Sequence, residues 1–225
     1  MTKYTFQDIF QWLNPEARLA FIKIAQTRKY LKRQIVFANG DDGNEFYRIA
    51  SGKVRIYEIT ADERELTYGL LEAGDCFGFV SLLDNGPRHA TVETCSKVEL
   101  QVITQSAFEK LSAKHPIFLD GLLQLCAIHI RGMADRLASA HFDNVPARLL
   151  RCILREVDFS EPDSVDGTGL SVRFSQSELA LMIGASRQSV NKALQAFQCQ
   201  GLLSVCGGRL TIQNLKKMRA LSAER

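Results

Sequence analysis

The sequence predicts an α+β chain: a sandwich or barrel of short antiparallel strands, then one long helix, then a winged helix-turn-helix. Three observations carry that prediction. Between residues 30 and 110, short runs rich in β-branched and aromatic residues alternate with Gly, Asn and Asp turns. After Pro116 the apolar residues recur at spacings of three and four instead of two. From Ser175 onward, two capped helical patterns are followed by a Gly-Gly hairpin. Strands and helices do not alternate along the chain, which argues against a doubly wound nucleotide fold.

The chain has 225 residues, 46% hydrophobic and 24% charged, the profile of a globular protein rather than a disordered, collagenous or rod-like one. The longest apolar run, Leu122 to Ile130, contains Gln124 and His129 and falls short of the ~18 residues a membrane helix needs. The N-terminus carries Lys3 and Asp8 with no apolar stretch of the secretory kind. Six cysteines (76, 95, 126, 152, 199 and 206) form no CxxC pair. The expectation is a cytoplasmic protein with reduced thiols and no membrane partner. Charge is uneven. Residues 1–144 hold 17 Lys/Arg against 18 Asp/Glu, whereas residues 145–225 hold 11 against 7. The basic C-terminal end is where a polyanion would dock.

Taken in order, residues 5–27 show helical periodicity (Phe6, Ile9, Phe10, Leu13, Leu19, Ile22), with Asn14 as N-cap and Pro15 in the first turn of a second helix. Strand candidates follow at Gln34–Phe37, Phe46–Ile49, Val54–Ile59, Thr67–Leu71 and within Ala90–Ile103. Leu119, Leu122, Cys126, Ile130, Met133, Leu137 and Ala140 then read as one apolar stripe on a helix of about 25 residues, roughly 37 Å long. A helix of that length offers either a dimer seam or a face packed wholly on its own sandwich. Asn144-Val145-Pro146 marks a hinge, a helix runs from Pro146 to Val157, and the acidic, Gly- and Pro-containing segment 158–169 is a loop.

Ser175-Gln-Ser-Glu178 is a capping box, and Gly184 ends that helix in a tight turn. Ser186 caps the next helix, which buries Val190, Leu194 and Phe197 and exposes Arg187, Gln188, Asn191 and Lys192. Gly207-Gly208 closes a hairpin with Arg209 at its tip, a wing placed to meet phosphate. Two short helices joined by a Gly turn present their second N-terminus to base edges in a major groove. The bland reading is a helical hairpin with solvated charges. The two caps, the turn, the wing and the polar face in one order favour double-stranded DNA.

The whole arrangement resembles the CRP/FNR family of bacterial transcription regulators. The resemblance rests on Gly74-Asp75-Cys76-Phe77-Gly78, on Ser81-Leu-Leu-Asp84 to Pro87-Arg88-His89-Ala90-Thr91, and on Ala185-Ser186-Arg187-Gln188-Ser189-Val190-Asn191-Lys192. It implies a jelly-roll-like β-roll effector domain (1–116), a dimerisation helix and hinge (117–144, with the homodimer seam at 117–141) and a winged helix-turn-helix (145–225). It further implies a palindromic operator, RNA polymerase as a partner, and cAMP as the usual effector. Ser175, Gln176, Ser186 and Ser189 are then expected on phosphates. Arg187, Gln188 and Lys192 are expected on bases, with Arg187 bidentate to guanine.

The resemblance breaks at the effector cassette. Gly78 and Arg88 are in register with the residues that surround the cyclic phosphate, but the ribose-binding glutamate falls on Phe79 and the Ser/Thr after the arginine falls on His89. On the long helix the Thr-Ser pair of the family falls on Met133-Ala134, and the helix arginine on His129. Three readings follow: a cyclic nucleotide in a changed pose on Arg88 and His89, another small anionic effector on the same residues, or a pocket filled by Phe79 and Met133.

Other classes fit less well. There is no nucleophile elbow, P-loop or HExxH, and no carboxylate pair in an evident pocket, so an enzyme is not expected. No cysteine precedes Cys76, and the four histidines lack metal-ligand spacing, so no metal is expected. The alternative class is a cyclic-nucleotide or other small-molecule module acting on a protein partner without DNA, which would need no capped, basic, winged head.

Overall fold

A computed structural model describes residues 8–60, 65–157 and 171–223. The chain divides into two compact units, one ending at Met133 and the next running from Ala134 to the C-terminus.

The first unit opens with a short 3₁₀ helix, Ile9–Trp12, followed by α1 (Pro15–Ile24). Asn14 accepts from the Ala17 amide at 2.8 Å and Pro15 supplies a preset φ, so the helix starts where the sequence placed it. Helical structure stops at Ile24, and the chain is already a strand at Gln26. Phe6 lies outside the described residues.

Among the described residues of this unit, eight strands make two four-stranded antiparallel sheets. One holds β1 (Gln26–Tyr30), β8 (Val98–Thr104), β3 (Glu45–Ser51) and β6 (Cys76–Phe77), in that order. The other holds β2 (Ile35–Phe37), β7 (Thr91–Thr94), β4 (Val54–Ile59) and β5 (Glu65–Leu71). Their inner faces share one core that includes Phe46, Ile49, Val54, Leu71, Val92 and Leu100. Alternation in β8 runs buried at 98, 100 and 102, so the period-two pattern does point one face inward. Between β6 and β7 sits a single short helix, α2 (Phe79–Asp84), which strand-like periodicity did not announce. Gly78 enters it at φ +80°, where a Cβ would lie 2.9 Å from the Glu45 carbonyl oxygen. Helix α3 (Gln105–Lys114) follows β8, capped by Thr104.

Helix α4 runs from Ile117 to Phe142, 26 residues. Its apolar positions do not form the single stripe that the spacing suggested. Phe118, Gly121, Leu122 and Leu125 are buried, Leu122 and Leu125 with the sandwich core, and Cys126 packs at its edge. Leu119, Ile130, Met133 and Leu137 are exposed, with Leu123 beside them. Two neighbouring faces of one helix share spacings of three and four, so the spacing alone does not separate the buried stripe from the exposed one. The helix is also long and apolar enough to cross a membrane, with mean hydropathy 1.3 over its best window. Asp120 and Arg131 interrupt it, and its buried face belongs to the sandwich core.

In the second unit, α5 (Val145–Val157) starts at Asn144, whose side chain accepts from the Ala147 amide at 3.0 Å. The 158–169 loop expectation lies outside the described residues. The rest comprises β9 (Ser171–Arg173), α6 (Gln176–Ile183), α7 (Arg187–Cys199), β10 (Leu203–Cys206), β11 (Arg209–Ile212) and α8 (Leu215–Ala223). The wing has three strands, ordered β10-β11-β9, one more than the hairpin itself predicts. Leu149, Ile153, Leu179, Val190, Leu194, Phe197, Leu202 and Met218 build a separate core.

Candidate nucleic-acid interface and effector cassette

Helices α6 and α7 are fixed by their own ends. The Ser175 hydroxyl accepts from the Glu178 amide at 3.1 Å, and the Glu178 carboxylate accepts from the Ser175 amide at 2.7 Å. That reciprocal box satisfies two otherwise orphaned donors. Gly184 ends α6 with φ +61° and ψ +48°, returning its amide to the Ala180 and Leu181 carbonyls. Two residues later Ser186 caps α7, accepting from the Ser189 amide at 3.1 Å. Burial of Val190, Ala193, Leu194 and Phe197 pins one face of α7 to the core of this unit. Arg187, Gln188, Asn191 and Lys192 are therefore all exposed on the other face. Ser189 is half-buried, its hydroxyl 2.8 Å from that of Ser186. Gln176, half-buried at the first turn of α6, donates its side-chain amide to the Asn191 carbonyl oxygen at 3.2 Å. Gly207 and Gly208 take φ +56° and +78°, the pair of positive values a tight two-residue hairpin needs. That turn sets Arg209 at the exposed start of β11, opposite Cys206.

In the first unit, Arg88 is only 3% exposed. Its guanidinium donates to the Gly78 carbonyl at 2.9 Å and the Glu45 carbonyl at 2.8 Å, and lies 4.3 Å from the centre of the Phe37 ring. Burial pulls its pKa below the ordinary arginine value. The Nε–H is buried and meets no acceptor among the described residues. Next to it, Glu45 receives two guanidinium hydrogen bonds from Arg28, at 2.8 and 2.5 Å, and one from the Tyr47 hydroxyl at 2.6 Å. Burial works against the Glu45 charge, but those donors outweigh it and hold the carboxyl below its usual range. Burial, with the Glu45 contact, pushes Tyr47 up.

Phe79 is buried at the start of α2 and meets His129 of α4 edge-on, ring centres 5.8 Å apart. Met133, the other residue expected to fill the cassette, is 53% exposed. It lies one turn beyond His129, and it is His129 that meets the Phe79 ring. His89 is exposed, its ring 6.4 Å from that of Tyr68. Partial desolvation lowers the His89 pKa, against the pull of Asp84 and Glu58. Tyr68 donates to Glu58, and burial together with that bond pushes its pKa up to about 12. Among the described residues no group of three His, Cys, Asp or Glu side chains could hold a metal ion.

Comparison with known proteins agrees with this layout. Residues 27–115 match the cyclic nucleotide-binding domain and residues 147–221 the Crp-like helix-turn-helix domain. The chain is 30% identical over 210 residues to the CRP-like cAMP-activated global transcriptional regulator of Mycobacterium tuberculosis, covering 93% of this chain and 94% of that protein. The chain belongs to the CRP/FNR family of transcriptional regulators. As a family member it pairs a cyclic nucleotide-binding-type domain with a DNA-binding helix-turn-helix head. The cyclic AMP receptor protein of Thermus thermophilus is 28% identical, covering 91% and 92% of the two chains. Among solved structures, the c-di-GMP responsive regulator CLP of Xanthomonas campestris superposes with TM-score 0.75 at 25% identity, over 88% of this chain and 99% of that one. A CooA mutant from Carboxydothermus hydrogenoformans shares the fold, with TM-score 0.80 at 20% identity over 99% and 100%.

The residues of this CRP/FNR cassette do not fit a cyclic nucleotide held in the family's usual way. A phenyl ring cannot accept a ribose hydroxyl bond, and a buried hydroxyl left unpaired costs about 1–3 kcal/mol. The arginine is in register, but two of its nitrogens are already committed to backbone carbonyls.

Proposed function

We propose that this chain acts as a homodimer in the cytoplasm, reading a two-fold DNA operator through α7, with the wing and the helix caps on flanking phosphates. The observation that carries the reading is the exposed row Arg187, Gln188, Asn191 and Lys192, held outward by a capped and buried opposite face. Arg187 is the residue for a guanine edge, and Gln188 matches adenine, where a glutamate would select cytosine. Lys192 brings a donor without the planar fork of arginine. Ser175, Ser186 and Ser189 serve phosphate, which sets register rather than sequence. Arg209 at the wing tip serves it too. The dimer seam runs along Leu119, Leu123, Ile130 and Leu137, whose exposed side chains a second copy would cover. RNA polymerase is the partner the family reading supplies. Selection of duplexes from a randomised pool tests the assignment: an inverted repeat supports it, and no enriched sequence refutes it.

A second reading concerns the effector. The M. tuberculosis and T. thermophilus relatives are named for cAMP. The buried, unpartnered Nε–H of Arg88 favours an anion in the cassette, while Phe79 disfavours a sugar hydroxyl. The combination favours a small anion without a ribose over cAMP itself. Calorimetric titration with cAMP and with simple organic anions separates the two.

A further inference from the structure

Asn191 and Gln176 form an amide pair that links the two helices of the DNA-binding head. Gln176 occupies the first position of α6, and Asn191 lies one turn after Arg187 on the same exposed face of α7. The Gln176 side-chain nitrogen donates to the Asn191 carbonyl oxygen at 3.2 Å. An asparagine that reads adenine needs both ends of its amide, oxygen to N6 and nitrogen to N7. Here one of the oxygen's two lone pairs is engaged by Gln176, a bond that turns the carbonyl toward α6. The nitrogen, with its two N–H donors, is the end of the amide that the pair leaves to a base.

We propose that Asn191 is a base-reading residue of the DNA interface, and that Gln176 is its positioning residue, holding the amide so that it leads with its N–H donors. The inference rests on the reading of α7 as the recognition helix and names a determinant within it. An amide held with its donors outward favours base edges that present acceptors in the major groove, guanine O6 and N7 or thymine O4. It disfavours the amino groups of cytosine and adenine. Gln176 thereby acts on sequence choice through Asn191 rather than as the simple phosphate contact its place at a helix N-terminus suggests.

The test is duplex selection from a randomised pool, followed by affinity measurements on single-base variants of the selected site. It uses the full chain and its Asn191→Ala, Gln176→Ala, Gln176→Glu and Arg187→Ala variants, with thermal melting alongside. The wild-type chain is expected to prefer guanine or thymine at one base pair per half-site, by about fivefold. Asn191→Ala abolishes that preference and leaves the Arg187-dependent position intact. A carboxylate at 176 can only accept. Gln176→Glu therefore turns the Asn191 carbonyl outward and moves the preference at the same base pair toward adenine or cytosine. Gln176→Ala weakens the preference without reversing it, and melting is unchanged throughout. A Gln176 variant that lowers affinity evenly for every sequence makes Gln176 a phosphate contact and overturns the proposal. Unchanged preference in Asn191→Ala overturns it as well. If the wild-type chain selects no sequence and Arg187→Ala alters nothing, the DNA reading beneath it has failed too.

Discussion

The ring of Phe79 stands edge-on to the imidazole of His129, 5.8 Å between centres, so the cassette helix α2 and the long helix α4 touch directly. Here a buried ring makes the connection. Phe79→Ala removes most of that ring from a site 3% exposed. A loss of about 3–5 kcal/mol in urea unfolding of the first unit is expected. A loss under about 1 kcal/mol would place Phe79 at the surface instead.

Arg88 holds two backbone carbonyls, of Gly78 and Glu45, that come from different elements. Arg88→Ala removes a donor from both carbonyls, at about 1–3 kcal/mol for each acceptor left unpaired. Loss of stability is therefore expected even with no effector present, measured by chemical denaturation. An arginine that served only a ligand would leave the unliganded protein unchanged.

Glu45 makes stability sensitive to acid. Its folded-state pKa lies below the ordinary carboxylate value, so the unfolded chain takes up the proton first as pH falls. The stabilisation is complete above the unfolded carboxylate pKa, about 4.3, and is lost as pH falls through the folded value. Melting temperatures from about pH 6 to about pH 3 should fall more steeply for the wild-type chain than for Glu45→Gln. Parallel curves would contradict the assignment.

The exposed stripe on α4 predicts the oligomeric state. Leu137 is 74% exposed, with Ile130 and Leu123 along the same helix. Leu137→Lys combined with Ile130→Lys is expected to shift the chain from dimer to monomer in sedimentation equilibrium, with helical content by circular dichroism unchanged. An unchanged dimer would move the seam elsewhere.

Much of this was legible in the residues because local chemistry decided it. The Ser175–Glu178 box, the Ser186 cap, the Gly184 turn and the Gly207-Gly208 hairpin each need a particular residue type, and each stands where that residue does. Burial on the recognition helix followed its periodicity for the same reason: one face packs on one core. What spacing could not resolve was partnership at a distance. Leu119 and Leu122 share a helical spacing, yet only Leu122 meets the sandwich core, and nothing in the pattern says which. The third wing strand, β9, depends on pairing with β11 across a long separation in sequence. The Phe79–His129 contact depends on how two helices meet, and no spacing in the sequence pairs the two residues. Among the interface residues, Asn191 was visible as part of the polar face, but its link to Gln176 lies between two helices and has no sequence signature.

The central claim is that α7 reads DNA, and fluorescence anisotropy tests it most directly. The full chain is titrated onto a duplex carrying its selected inverted repeat and onto a scrambled duplex, across a range of salt. Affinity is expected to fall linearly with salt on logarithmic axes for both duplexes, with the repeat bound more tightly throughout. Arg187→Ala is predicted to lose about 1–3 kcal/mol on the repeat alone. Equal affinity for the two duplexes at every salt concentration, untouched by Arg187→Ala, would contradict it.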